Sequence, residues 1–249
     1  MVKMPEKEKV AKKAPDYEIW ISGVVANQDL RYTQGGLGIL RLTLAGEAPK
    51  AFYLEVEALG DKAERWGDRL LPGTPVLVRG VVSQRKGQDG KEYTRIRARE
   101  FRVLGGEVSL SEPDAKGNRR MQGATNLFVG TGVLATDPVL RTAPSGDQVA
   151  AARVVLREGG ENDAFLRLEA WGEVAKVLGV LSKGTPVFVQ GRLKGDSWTD
   201  KEGKKRYELV IVAEGLSPIG KGKAQAEEPP VDLEEGLEDA LPEEEDLPF

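Results

Sequence analysis

The chain has 249 residues, 40% of them hydrophobic and 31% charged, which suits a soluble globular protein of one large domain or two small ones. It contains no Cys and no His, which excludes disulfides, thiolate or imidazole metal sites, Cys nucleophiles and His-based triads. The net charge of −4 conceals a segregation: all 36 Lys and Arg lie at or before Lys223, while eleven of the 40 acids lie from Glu227 onward, leaving a body of +7 and a tail of −11.

Residues 1–16 alternate Lys, Glu and Ala and are expected to form a flexible arm. That arm has no apolar stretch and no run elsewhere approaches the ~20 residues of a membrane span, so neither a signal peptide nor a span is expected and the cytoplasm is the default location. Residues 19–26 read as a strand, Gly35-Gly36 as a hairpin turn, and residues 40–44 and 51–59 as strands with period-two alternation. Residues 61–70 read as a helix with Ala63, Trp66 and Leu70 on one side, stopped by Leu71-Pro72-Gly73-Thr74-Pro75. Strands follow at 76–85 and 93–103. Residues 106–124 are a linker rich in Ser, Gly, Asp and Arg, after which the pattern restarts.

The restart is an internal repeat. Residues 22–26 (SGVVA) recur as 131–135 (TGVLA), 54–60 (LEVEALG) as 166–172 (LRLEAWG), and 73–80 (GTPVLVRG) as 184–191 (GTPVFVQG). The spacing drifts by only a few residues, so loops changed length while elements kept their order. The expected architecture is all-β: tandem copies at 17–105 and 125–219, followed by a disordered acidic tail at 220–249. Each copy has about five short strands and a helix between the third and fourth. The OB-fold is the five-stranded barrel with a helix at that place.

On the strand at 165–171, Phe165, Arg167, Glu169 and Trp171 share one face, and Leu166, Leu168 and Ala170 share the other, which must be the barrel interior. Aromatic rings beside cations suit base stacking and phosphate neutralisation. On the next strand Phe188, Gln190, Arg192 and Lys194 face outward, and Trp198 is expected at the tip of a polar hairpin. The first copy has Tyr53, Glu55, Glu57 and Leu59 at the matching places and Arg85 where the second has Trp198. Its last strand aligns Tyr93, Arg95, Arg97 and Arg99, a face that binds charge without base identity. The expected stacking residues are Phe165, Trp171, Trp198, Phe188, Tyr53 and Tyr93. The expected phosphate contacts are Arg167, Arg192, Lys194, Arg95, Arg97, Arg99 and Arg85. Trp66 aligns with Leu178 and reads as core. Glu55 and Glu57 read as a solvated pair, with no third residue to suggest a metal. No catalytic constellation stands out, so neither an enzyme nor a cofactor is expected.

The tail ends in Asp246-Leu247-Pro248-Phe249, a terminal aromatic with a free carboxylate that suits an apolar pocket with a basic rim. Residues 126–213 resemble the OB-fold of bacterial single-stranded DNA-binding proteins. The resemblance rests on 133–141 (VLATDPVLR), 170–175 (AWGEVA), 181–187 (LSKGTPV) and 198–207 (WTDKEGKKRY), and residues 246–249 are similar to that family's partner-recruiting tip. It implies that Trp171, Trp198 and Phe165 occupy base-stacking positions. Two OB-folds in one chain resemble the branch of the family in which two chains supply four OB-folds, which implies a homodimer. The implied function is sequence-independent coating of single-stranded DNA in replication, recombination and repair, with replication and repair proteins recruited by the tip. A protein-interaction hub and a single-stranded RNA binder are the alternatives.

Overall fold

The computed structural model describes residues 15–86, 92–157, 163–199 and 205–220. In the first repeat β1 (Tyr17–Tyr32), β2 (Gly38–Ala48) and β3 (Lys50–Leu59) form an antiparallel meander. Next come α1 (Asp61–Gly67), β4 (Pro75–Lys86) and β5 (Glu92–Val103). The circuit closes because β5 pairs antiparallel with β4 and parallel with β3, while β4 pairs with β1. A five-stranded barrel closed in this way is the OB-fold. The helix is shorter than the periodicity suggests: it stops at Gly67, and Leu70 reaches the core from the following turn.

Two residues of the linker form β6 (Met121–Gln122), parallel to Gly46 and Glu47 of β2. The second repeat contains β7 (Asn126–Leu134), β8 (Val139–Thr142), β9 (Gln148–Leu156), β10 (Ala164–Trp171), α2 (Gly172–Gly179), β11 (Pro186–Thr199) and β12 (Lys205–Pro218). It closes as the first does, with β10 parallel to β12 and β11 antiparallel to both β12 and β7. Where β1 runs unbroken for 16 residues, its counterpart is split into β7 and β8. Pro138, which has no N–H to give to a ladder, stands immediately before β8.

Both repeats carry one β-bulge at the same place. Arg79 faces Glu100 and Gly80 faces Ala98, leaving Arg99 as the extra residue; Gln190 faces Gly215 and Gly191 faces Ala213, leaving Glu214. The last glycines of GTPVLVRG and GTPVFVQG, Gly80 and Gly191, sit at these bulges, where the partner strand crowds them. A Cβ on Gly191 would lie 2.1 Å from the Val212 carbonyl oxygen, and one on Gly80 2.9 Å from that of Arg97. The equivalent bulges confirm that the two octapeptides align residue for residue. Counting from Gly80 and Gly191, Arg85 corresponds to Asp196 and not to Trp198.

The barrels are not independent beads. β1 pairs antiparallel with β7 from Tyr17↔Gly130 to Ile21↔Asn126, so one sheet runs β5-β4-β1-β7-β11-β12 through both repeats. Tyr17 and Phe128, both buried, stack across this joint with centroids 5.7 Å apart. The Tyr17 hydroxyl accepts the Val82 N–H at 3.0 Å, and burial pushes its ionisation up to about 12. One apolar cluster extends from Leu40 and Leu54 in the first barrel to Leu168 and Ile211 in the second.

Candidate nucleic-acid interface

On β10 the alternation places Leu166, Leu168 and Ala170 in the barrel core. Phe165 and Trp171 stand outside, 46% and 44% exposed, with Arg167 between them. Glu169 shares this outer face yet is only 5% exposed. Its Oε1 accepts the Trp171 indole N–H at 2.8 Å and its Oε2 pairs with Arg167 Nη2 at 3.0 Å. One buried carboxylate therefore orients an exposed ring and an exposed guanidinium.

Strand register extends the outer row sideways. Arg167 lies between Arg153 of β9 and Val210 of β12, and Val210 faces Lys194 of β11. Arg153 was not among the sequence-derived residues. The signal for it is the alternation of Ala150, Ala152 and Val154, all buried, with Arg153 on the other face of β9. Its ion partner is Glu208 at 3.2 Å. The neighbouring cations are also paired, Arg192 with Glu214 at 3.2 Å and Lys194 with Asp196 at 2.8 Å.

The first barrel repeats the buried acid with different partners. Glu57, the counterpart of Glu169, is also 5% exposed. It is reached by Arg85 at 3.2 Å, Arg41 at 3.4 Å and Arg95 at 3.9 Å. The expectation of a solvated Glu55–Glu57 pair is corrected here. Glu57 is enclosed by guanidinium groups, and Glu55, on the rim, pairs with Arg95. Among the described residues no group of three or more acids is placed to hold a metal ion. Arg97 faces Glu57 across the parallel ladder, and burial, together with the nearby Arg85 and Arg99, lowers its proton affinity. Arg99 is the bulge residue of β5. The rings of Tyr53 and Tyr93 are both partly exposed, and Arg95 lies 5.8 Å from the Tyr93 ring centroid. Trp66 is half-buried against the core, 5.6 Å from Phe101.

The structure brings Phe165, Arg167 and Trp171 onto one strip. It places Phe188 elsewhere, on the outer face of the shared sheet between Thr131 of β7 and Ser217 of β12. Trp198 belongs to β11, where its backbone faces Arg206. The Trp198 side chain, the hairpin tip at 200–204 and the terminal Asp246, Leu247, Pro248 and Phe249 lie outside the described residues.

The strips of the two barrels meet. The Phe165 N–H donates at 2.9 Å to Gln84 Oε1 of the first barrel, closing a backbone donor that β12 does not reach. Residues 192–195 of β11 and 50–53 of β3 line a cleft of about 270 Å³ between the barrels. Nearby, burial and the Glu55 carboxylate push the Tyr207 hydroxyl up to about 12.

Among the described residues no helix is long and apolar enough to cross a membrane. Residues 125–219 match the model of the single-strand binding protein family. A single-stranded DNA-binding protein of Thermus aquaticus is 38% identical over 255 residues, covering 92% of this chain and 96% of that one. One from Deinococcus radiodurans is 27% identical over 295 residues, covering 93% and 98%. The crystal structure of wild-type single-stranded DNA binding protein from Thermus aquaticus superposes with a TM-score of 0.66 at 29% identity, over 86% of this chain and 98% of that chain. With two closed five-stranded barrels in one chain and similarity along nearly its whole length, the chain belongs to the single-strand binding protein family, in its form with two OB-folds per chain.

Proposed function

We propose that this protein binds single-stranded DNA without reading its sequence. The observation that carries this reading is the outer strip of β10. Two exposed rings flank a guanidinium, and a buried carboxylate holds one ring and the guanidinium in place. Every base offers a π-face, so stacking on Phe165 and Trp171 is indifferent to sequence. Arg167, Arg153, Lys194 and Arg192 on the second barrel, and Arg41, Arg85, Arg95, Arg97 and Arg99 on the first, supply the charge that phosphates displace counterions to reach. The paired acids set an exchange: Arg41, Arg85, Arg95, Arg153, Arg167 and Arg192 each swap a carboxylate for a phosphate, which moderates affinity and keeps the guanidinium aimed when DNA is absent. Trp198 joins the stacking set from the β11–β12 hairpin, and Tyr53 and Tyr93 are its weaker counterparts in the first barrel.

The role extends to replication, recombination and repair in the cytoplasm, with partner proteins recruited by Asp246, Leu247, Pro248 and Phe249. Two chains pair as a homodimer through the outer face of the shared sheet, where Phe188 is exposed; this is the place for that ring, off the DNA strip. The protein acts by binding and needs no cofactor.

Titration of the full-length protein with poly(dT), read by Trp fluorescence, tests the reading. Quenching that saturates and reverses with salt is expected. Fluorescence unchanged at low salt overturns it, and tighter binding of poly(U) than of poly(dT) transfers the function to RNA.

A further inference from the structure

The segment joining the barrels is built as a hairpin and not as a tether. Ser111 N–H donates to the Arg120 carbonyl at 2.9 Å, and Arg120 N–H returns to Ser111 Oγ at 3.0 Å. At its tip Asp114 Oδ1 accepts the backbone N–H groups of Lys116 and Asn118 at 2.8 and 2.9 Å. Its base is fixed to the first barrel, with Leu110 bridging to Met121 and Met121 in register with Gly46. The Arg120–Glu47 ion pair, 3.6 Å, adds a further tie.

The tip lies over the outer face of β1–β3. There the Tyr53 hydroxyl donates to Asp114 Oδ2 at 2.7 Å. Tyr53 is the first-barrel counterpart of Phe165. Between tip and barrel is a cleft of about 420 Å³ whose walls include Asn27, Thr43, Tyr53, Asp114, Lys116 and Asn118. That volume falls in the ~300–1,000 Å³ range of small-ligand sites. In the ladder Thr43 faces both Asn27 and Glu55, so the cleft continues the row that leads to Arg95.

We propose that this cleft takes a nucleotide of the bound single strand, so that the inter-barrel hairpin is part of the binding face. The inference rests on the single-strand-binding reading above. The lining matches the ligand by parts. The Tyr53 ring, fixed through its hydroxyl, gives a base a surface to stack on. The amides of Asn27 and Asn118 carry both donors and acceptors for base edges. The Lys116 ammonium meets the phosphate. The Asp114 charge, which would repel a phosphate, is already engaged by the Tyr53 hydroxyl and by donors of the hairpin itself. The outer face of strands 2 and 3 is also where OB-folds receive oligonucleotides.

The test uses the full-length protein with p-benzoylphenylalanine in place of Lys116, irradiated with oligo(dT) while Trp quenching is followed in the same sample. Quenching together with an adduct at position 116 that excess unlabelled oligo(dT) suppresses is the expected result. Quenching without an adduct overturns the cleft and leaves single-strand binding standing, whereas no quenching overturns the reading beneath it. In a second measurement, Lys116→Ala lowers the slope of log K against log salt by about one. An unchanged slope, or tighter binding by Lys116→Ala, overturns the proposal, the latter because the hairpin would then be covering the face.

Discussion

The indole N–H of Trp171 is held at 2.8 Å by Glu169, a carboxylate almost wholly removed from solvent on the outer face of its barrel. Residues two apart on a strand point the same way, so the third member, Arg167, reaches the same acid from the other side. An ionised carboxylate this enclosed needs such partners. The arrangement sets the indole in one orientation, and on the proposed single-strand-binding reading this reduces the ordering cost of binding, about 0.5–1.5 kcal/mol per immobilised side chain.

Glu169→Ala therefore weakens oligo(dT) binding by roughly three- to tenfold, about the cost of re-ordering one freed side chain. Glu169→Gln keeps an acceptor for the indole and loses less. Fluorescence titration of the two variants checks this. Equal affinity in Glu169→Ala and the parent protein contradicts a positioning role.

On the proposed function the two barrels are expected to respond differently to substitution. Phe165→Ala and Trp171→Ala each cost ~1–3 kcal/mol of binding and leave the salt dependence unchanged. Arg97→Ala, in the first barrel, lowers the salt slope by about one for every sequence tried. Titrations at several salt concentrations separate the effects, and a flattened salt slope in Trp171→Ala would falsify this division.

The Tyr53 hydroxyl, followed by the hairpin's own N–H groups, holds the Asp114 carboxyl at about 2, below its ordinary value of 3.8. Only the ionised form is favoured by these donors, so their stabilisation is complete above about pH 4 and fades as pH falls toward 2. Asp114→Asn is thus less stable than the parent protein at neutral pH, and the gap in urea midpoint narrows between about pH 4 and pH 2. A gap that stays constant through this window excludes the ionised contact.

Gly130 packs closely against Tyr17 in the joint between barrels: a Cβ there would lie 2.2 Å from the Tyr17 Cβ. Gly130→Ala pushes β1 from β7 and costs about 1–3 kcal/mol, as overpacking does. Calorimetry is expected to show a lower Tm and a transition that broadens or splits as the barrels uncouple. An unchanged, single sharp transition shows that the joint adjusts freely.

The repeat, the strand order within each copy and the outward set on β10 were legible in the residues, because period-two alternation and recurring glycine motifs are local properties of the chain. Phe165 and Trp171 could be assigned to the outer face from Leu166, Leu168 and Ala170 alone. Other features arise only when distant segments meet. Arg153 joins the strip through a register that no local pattern encodes, and Phe188, outward by the same parity rule, faces a different direction because a barrel has outward positions all around it. Glu57 looked solvated until Arg41, Arg85 and Arg95 were brought to it from three other strands. The sequence by itself determined which face of each strand carries aromatics and charge, since side-chain direction follows backbone period. Only the tertiary structure decided how those faces combine: which acid Arg41, Arg85, Arg95, Arg153, Arg167 and Arg192 each meet, that β1 and β7 fuse two barrels into one sheet, and that the linker folds back over Tyr53. Those outcomes depend on closure and close approach between residues far apart in the chain, where complementary shape and charge, not local pattern, select the contact.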